Sequence, residues 1–175
     1  MVVNMEIFKV NVCFRHFGEL YLGLKADWIS PDNVLDYCQN GLITTSNLDR
    51  YTELLLALDE SLFSFLSLIK RFISEDGDVL IIKNEDEQKD NVFDYVPDEY
   101  FRIWRLEFLL RIDNLPISNT EKLYEIGSLF DNIGYPSQWH SFLYYMNDES
   151  SEKLYQKYCD YMRSEICELQ NGMII

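Results

Sequence analysis

Apolar residues in this chain recur at intervals of three and four, in blocks set apart by helix-capping signals. That spacing leaves room for little except packed helices. The sharpest block opens at Ser30-Pro31-Asp32. Ser30 suits an N-cap, Pro31 the first helical position and Asp32 the positive end of the helix dipole. Val34, Leu35 and Cys38 then face inward, and Asn40-Gly41 ends a helix predicted over 31–39. Ser118-Asn119-Thr120-Glu121 predicts a capping box, followed by Leu123, Ile126, Leu129 and Phe130 at helical spacing.

The remaining blocks follow the same logic. Leu48, Tyr51, Leu55 and Leu58 form one stripe of a helix over 47–58. Asp59 is placed as the cap of the next, in which Leu62, Phe65, Leu66, Ile69, Phe72 and Ile73 repeat, with Phe63 and Leu68 off the stripe. Apolar residues on more than one face mark a helix central to the core. Glu75-Asp76-Gly77-Asp78 stops it. Pro97 starts another, with Phe101, Trp104, Phe108 and Ile112 on one stripe and Ile103, Leu106 and Leu110 on other faces. Gly134 ends the helix begun at 118, and Pro136-Ser137 begin a short one carrying Trp139, Phe142, Leu143 and Met146. A last helix over 151–169 turns Leu154, Tyr158, Tyr161, Met162, Ile166 and Leu169 inward.

The opening of the chain reads two ways. Phe8, Val10, Val12 and Phe14 alternate as in a strand, whereas Val10, Phe14, Phe17, Tyr21 and Leu24 lie at helical spacing. A helix over 12–25 is preferred. Val79 to Ile82 reads as one short strand-like segment or a buried stretch. The prediction is all-α, about seven helices, compatible with an irregular array of helical hairpins. At 175 residues, one compact domain spanning 1–175 is the default, with two small ones the alternative.

Charge bears on partners. Thirty Asp+Glu stand against 15 Lys+Arg, a net charge of −15, yet 47% of residues are hydrophobic. A disordered acidic tail lacks that apolar content, so this chain should fold under a strongly negative surface. Such a surface attracts basic proteins and repels nucleic acid and anionic lipid. Between Glu75 and Glu99, ten acids face two lysines, which is −8 of the −15. This acidic connection near 75–99 is expected to be the most mobile stretch. Aromatic anchors amid like charges suit a protein interface. Glu85, Asp86, Glu87, Asp90, Asp94, Tyr95, Asp98, Glu99 and Tyr100 are therefore the candidate partner-binding residues. The competing reading packs Phe93 and Tyr95 beneath a loop whose acids simply stay hydrated.

Catalytic patterns are missing. His16 and His140 form no helical ligand pair, the seven glycines are scattered, and there is no G-x-S-x-G elbow. Acid pairs such as Asp94 with Asp98, or Glu165 with Glu168, read as solvated faces. Cys13, Cys38, Cys159 and Cys167 lack zinc-ligand spacing and read as buried thiols, which suits a cytoplasmic protein. The first nine residues lack the features of a secretory signal, and the most apolar stretch, Leu62 to Ile69, falls far short of the ~20 residues a membrane span requires. No catalytic, cofactor or metal residues are assigned.

Tyr21-Leu22-Gly23-Leu24-Lys25-Ala26-Asp27-Trp28-Ile29-Ser30-Pro31, continuing to Cys38, resembles the opening motif of a family of bacterial domains of unknown function. Lys122-Leu123-Tyr124-Glu125-Ile126, Leu129-Phe130-Asp131, Tyr135-Pro136 and Phe142-Leu143-Tyr144-Tyr145-Met146 resemble its closing motif. Ile103-Trp104-Arg105-Leu106 and Leu109-Leu110 are similar to its central helix. The chain departs from the pattern at Ser137-Gln138, where acids are usual, and at Asn147-Asp148, where a proline is expected. The apolar motif positions are expected to pack helices together. Such small acidic proteins look like the immunity partners of bacterial polymorphic and contact-dependent toxins, which bind a toxin domain and block it. The resemblance implies a non-enzymatic immunity protein that binds a cationic toxin domain, plausibly a nuclease. Two other classes compete: a hydrolase using grouped carboxylates and a metal such as Mg²⁺, and a general scaffold for a basic protein.

Overall fold

The computed structural model describes residues 12, 14–39, 48–77 and 98–169. Among them lie seven α-helices: α1 (Phe17–Lys25), α2 (Pro31–Gln39), α3 (Leu48–Glu60), α4 (Leu62–Glu75), α5 (Asp98–Asp113), α6 (Asn119–Leu129) and α7 (Ser151–Leu169). Three 3₁₀ turns, Phe130–Ile133, Ser137–Trp139 and Tyr144–Met146, separate α6 from α7. No strand occurs among the described residues, and the fold is all-α as the spacing predicts. Val79 to Ile82 lies outside them. Packing divides the chain into two compact units, one holding the described residues from Phe14 to Trp104, the other Val12 and those from Arg105 to Leu169. The chain passes from one to the other within α5.

In the first unit, α1 packs on α4, α3 on α4 and α2 on α3. The helix expected from residue 12 starts at Phe17 instead. His16 is extended, and the Glu19 carboxylate accepts the backbone N–H groups of Arg15 (2.9 Å) and His16 (3.4 Å), which fixes the start. Burial raises the Glu19 carboxyl above its ordinary pKa, against the lowering effect of these bonds. At the other end, Asp27 takes a left-handed conformation (φ 60°). The Trp28 N–H bonds the Gly23 carbonyl at 2.8 Å and the Asp27 N–H that of Leu24 at 3.2 Å, which closes α1 in a Schellman motif. Gly23 also lets α5 approach: a Cβ there would lie 2.4 Å from Cζ2 of Trp104. The buried Trp104 donates its Nε1–H to the Glu19 carbonyl at 2.7 Å.

The α2 prediction holds to the residue, with Ser30 and Asn33 exchanging bonds at its head. Three other expectations need correction. On α3 the buried residues are Leu54 and Ala57, while Leu55 and Leu56 are exposed. Ser61, not Asp59, caps α4, accepting the Ser64 N–H at 3.1 Å. Phe65, Ile69, Phe72 and Ile73 are buried, but Phe63 is 79% exposed, so α4 is amphipathic rather than central. Arg50 lies 4.7 Å over the Phe72 ring and 5.5 Å over Phe17, and bonds Asp76 and Glu75 at the end of α4.

In the second unit, α6 packs on α7, on the first 3₁₀ turn and on the third. The predicted Ser118–Glu121 capping box is present, with the Ser118 hydroxyl accepting at 3.2 Å and the Glu121 carboxylate at 2.8 Å. Those bonds lower the Glu121 pKa. Leu106, Leu110 and Ile112 of α5 are buried, as their placement on several faces predicts; Leu109 is buried too, while Phe108, placed on the main stripe, is half-buried. The expected helix after Pro136 is instead the last two 3₁₀ turns, because Leu143 is extended (φ −69°, ψ 123°) and interrupts it. On α7, Leu154, Tyr158 and Met162 are buried as expected, while Tyr161, Ile166 and Leu169 are half-buried.

Candidate functional site

The acidic connection is described only at its end. Glu85, Asp86, Glu87, Asp90, Asp94 and Tyr95 lie outside the described residues. Asp98 and Glu99 are exposed in the first turn of α5, where their charge suits the helix dipole. Tyr100 is buried: its ring sits on the backbone of Gly18, where a Cβ would lie 2.5 Å from Cε2, and 6.0 Å from the His16 ring. Tyr100 therefore packs the first unit rather than meeting solvent.

Titratable groups gather elsewhere, in the interior of the second unit. Asp113, the last residue of α5, is buried with Lys122 of α6 and Tyr155 of α7. The Lys122 ammonium lies 3.5 Å from Asp113 Oδ1 and donates to the Asp113 carbonyl at 2.6 Å. One cation thus answers both a carboxylate and the negative end of α5. The Tyr155 hydroxyl donates to Oδ1 at 3.2 Å, and Asp113 Oδ2 has no hydrogen-bond partner among the described residues. Burial and the Asp113 charge push the Tyr155 and Tyr158 phenols well above their ordinary values, so both are hydrogen-bond donors at neutral pH. Lys122 belongs to the closing motif, and its burial gives that motif position a structural reason. Glu165, read from sequence as a solvated acid, is also buried. Cys159 is buried, Cys38 half-buried and Cys167 exposed, the last against expectation; all three are free. Among the described residues no group of three or more His, Cys, Asp or Glu side chains is placed to hold a metal.

The closing motif also builds an aromatic surface. Tyr124 is 50% exposed, Tyr135 63%, Tyr144 40% and Tyr145 49%, and Met146 beside them is exposed too. Of the apolar motif positions expected to pack helices, Leu123, Ile126, Phe130, Phe142 and Leu143 are buried, whereas Met146 turns outward. The tyrosine rings form a connected set of edge-to-face contacts: Tyr124 with Tyr144 at 4.5 Å, Tyr144 with Tyr145 at 5.2 Å, and the buried Phe130 with Tyr135 at 5.4 Å and Tyr145 at 6.5 Å.

Local structure explains how the rings are held. Gly127 bares the backbone of α6 beneath Tyr144, and a Cβ there would lie 2.6 Å from its Cε1. Gly134 and Tyr135 are both left-handed, at φ 81° and 52°. A non-glycine residue in that region is strained. The Tyr135 N–H bond to the Phe130 carbonyl (3.2 Å) and the ring contact with Phe130 hold it there. Beneath, Trp139 and Phe142 anchor the segment to α7, through the Trp139 Nε1–H bond to the Tyr161 hydroxyl (3.2 Å) and the Phe142 contacts with Tyr158 and Tyr161. The Asn147 amide donates to the carbonyls of His140 (2.7 Å) and Leu143 (2.9 Å).

Electrostatically this surface is mainly acidic, with Glu149 paired to Lys157 of α7 at 2.8 Å. Residues 117–150 hold Glu121, Glu125, Asp131, Asp148 and Glu149, all exposed, against Lys122, which is buried. Burial, then the Asp131 charge, then Tyr144 and Tyr135 raise the Tyr145 phenol above its usual pKa. Asp131 directly follows Phe130, whose ring touches both Tyr135 and Tyr145. Electron-rich ring faces beside a carboxylate attract a cation.

No α-helix among the described residues is long and apolar enough to cross a membrane. No curated protein and no solved structure matches the chain. Residues 5–166 match the model of a family described as "Uncharacterized protein conserved in bacteria (DUF2247)", and it is to this bacterial family that the chain belongs.

Proposed function

We propose that the protein is a non-enzymatic immunity protein: it binds a basic toxin domain made by the same or a neighbouring bacterial cell and blocks it. The observation that carries this reading is the twofold excess of acids over bases, 30 against 15, on a chain that still packs a helical core. A folded body with that much uncompensated charge repels polyanions and accelerates encounter with cationic proteins. A nuclease, which must itself attract a polyanion, is the favoured class of target. Membership of a bacterial family is compatible with such a role.

The test pairs biochemistry with genetics. Association of the purified chain with the product of the adjacent upstream gene is measured across a salt series. Binding that weakens as the Debye length falls below ~10 Å is the expected result. Deleting the gene should harm cells only while its neighbour is intact. Absence of binding, or equal harm without the neighbour, overturns the reading. The latter pattern would instead fit a general scaffold for a basic protein.

A further inference from the structure

We infer that Tyr135, Tyr144, Tyr145 and Asp131 form a docking site for an arginine-bearing segment of a basic partner protein. The nature of the partner rests on the proposed function; the site rests on the geometry of the second unit. An exposed aromatic cluster alone would accept many occupants, and charge is what selects among them. Asp131 makes no ion pair or hydrogen bond among the described residues, and the segment around it presents five exposed acids, of which Glu149 alone has a basic partner there, Lys157 of α7. A second anionic surface, such as nucleic acid or an acidic bilayer, would be repelled. A guanidinium satisfies both features at once, stacking on a tyrosine face while its planar fork meets a carboxylate. An ammonium can do only the second well, as a point charge.

Backbone conformation supports the same assignment. Tyr135 is a bulky residue kept left-handed and mostly exposed, where glycine or asparagine would relieve the strain. Strain held by surrounding contacts with no packing gained at the ring's outer face points to use of that face. The buried Phe130 backs Tyr135 and Tyr145, and Gly127 seats Tyr144, so less ordering remains to be done on binding.

The experiment titrates the full chain with three uncharged-terminus dodecapeptides, alternating glycine with arginine, lysine or glutamine, and follows tyrosine ring signals by NMR. The arginine peptide should shift the Tyr135, Tyr144 and Tyr145 signals, the lysine peptide less, and the glutamine peptide not at all. Tyr135→Asn, Tyr145→Ala and Asp131→Asn should each weaken arginine-peptide binding about threefold to tenfold. Circular dichroism and thermal melts verify that each variant is folded. Arginine-peptide binding that leaves these signals unmoved or survives all three substitutions overturns the inference, as does absence of binding at about 1 mM. Chain-concentration-dependent shifts of the same signals without peptide would also overturn it, by assigning the surface to a second copy of this chain. The two proposals fail separately. If the upstream gene product binds the Tyr135→Asn/Tyr145→Ala double variant unchanged, the site is wrong and the function stands. If the arginine peptide binds as expected but no neighbouring product is neutralised, the function is wrong and the site stands.

Discussion

Tyr144 rests on the bare backbone of Gly127, one turn of α6 beyond Tyr124, whose ring meets that of Tyr144 edge to face at 4.5 Å. The glycine is what brings the third 3₁₀ turn down onto the helix. In Gly127→Ala the new methyl would displace the ring, while the helix gains up to about 1 kcal/mol of intrinsic propensity. Tyr144 is exposed enough to swing aside, so stability should change by less than about 1 kcal/mol. The loss should appear in structure: nuclear Overhauser contacts between the Tyr124 and Tyr144 rings should vanish. Their persistence would contradict the seating described.

Lys122 is the opposite case, a buried cation with no alternative place to go. Lys122→Met leaves the Asp113 carboxylate buried without its counter-ion and removes the ammonium from the end of α5. Breaking a buried pair on one side costs about 3–5 kcal/mol. Urea denaturation should register that loss. Replacing Asp113 and Lys122 together by apolar residues should recover most of it.

Trp104 against Gly23 predicts a packing penalty of a different kind. The indole is fully buried and held by its bond to the Glu19 carbonyl, so it cannot retreat from an added methyl. Gly23→Ala should destabilise by about 1–3 kcal/mol, more than helix propensity returns. Tryptophan fluorescence during denaturation reads both the stability and the indole environment.

The capping box gives a pH signature. The Glu121 pKa is lowered in the folded chain, so its stabilisation is complete above the unfolded value near 4.5 and is lost as pH falls through the lowered value. The melting-temperature difference between the parent and Glu121→Gln should stay level above pH 4.5 and shrink below it. A difference that grows on acidification would reverse the sign. Ser118→Ala, which removes the partner hydroxyl, should cost about 1 kcal/mol.

What could be read from the sequence was what is decided within a few residues. Ser30-Pro31 and Ser118 to Glu121 locate α2 and α6 because a cap needs only its own turn. The α3 face was misread for a physical reason: Leu54, Leu55, Leu56 and Leu58 offer several stripes of equal quality, and only packing on α4 chooses Leu54. Tyr100 shows the same limit. Its acidic neighbours suggest an interface, while a glycine eighty-two positions earlier provides the cleft that buries it. The tyrosine surface was less legible still. Tyrosine is at home in a core and at a surface, and the helical spacing after Pro136 gave no sign that the backbone would tighten into 3₁₀ turns and expose Met146 beside Tyr144 and Tyr145.

Those tight turns carry a consequence for how the segment can vary. A 3₁₀ turn advances about 120° per residue, so one insertion or deletion inside the turn at Tyr144–Met146 would swing the residues after it by roughly a third of a circle. With Tyr144 kept in the notch at Gly127, Asn147 would lose its two carbonyls. The exposed rings can be exchanged one at a time, whereas the length of that turn is held by what it seats.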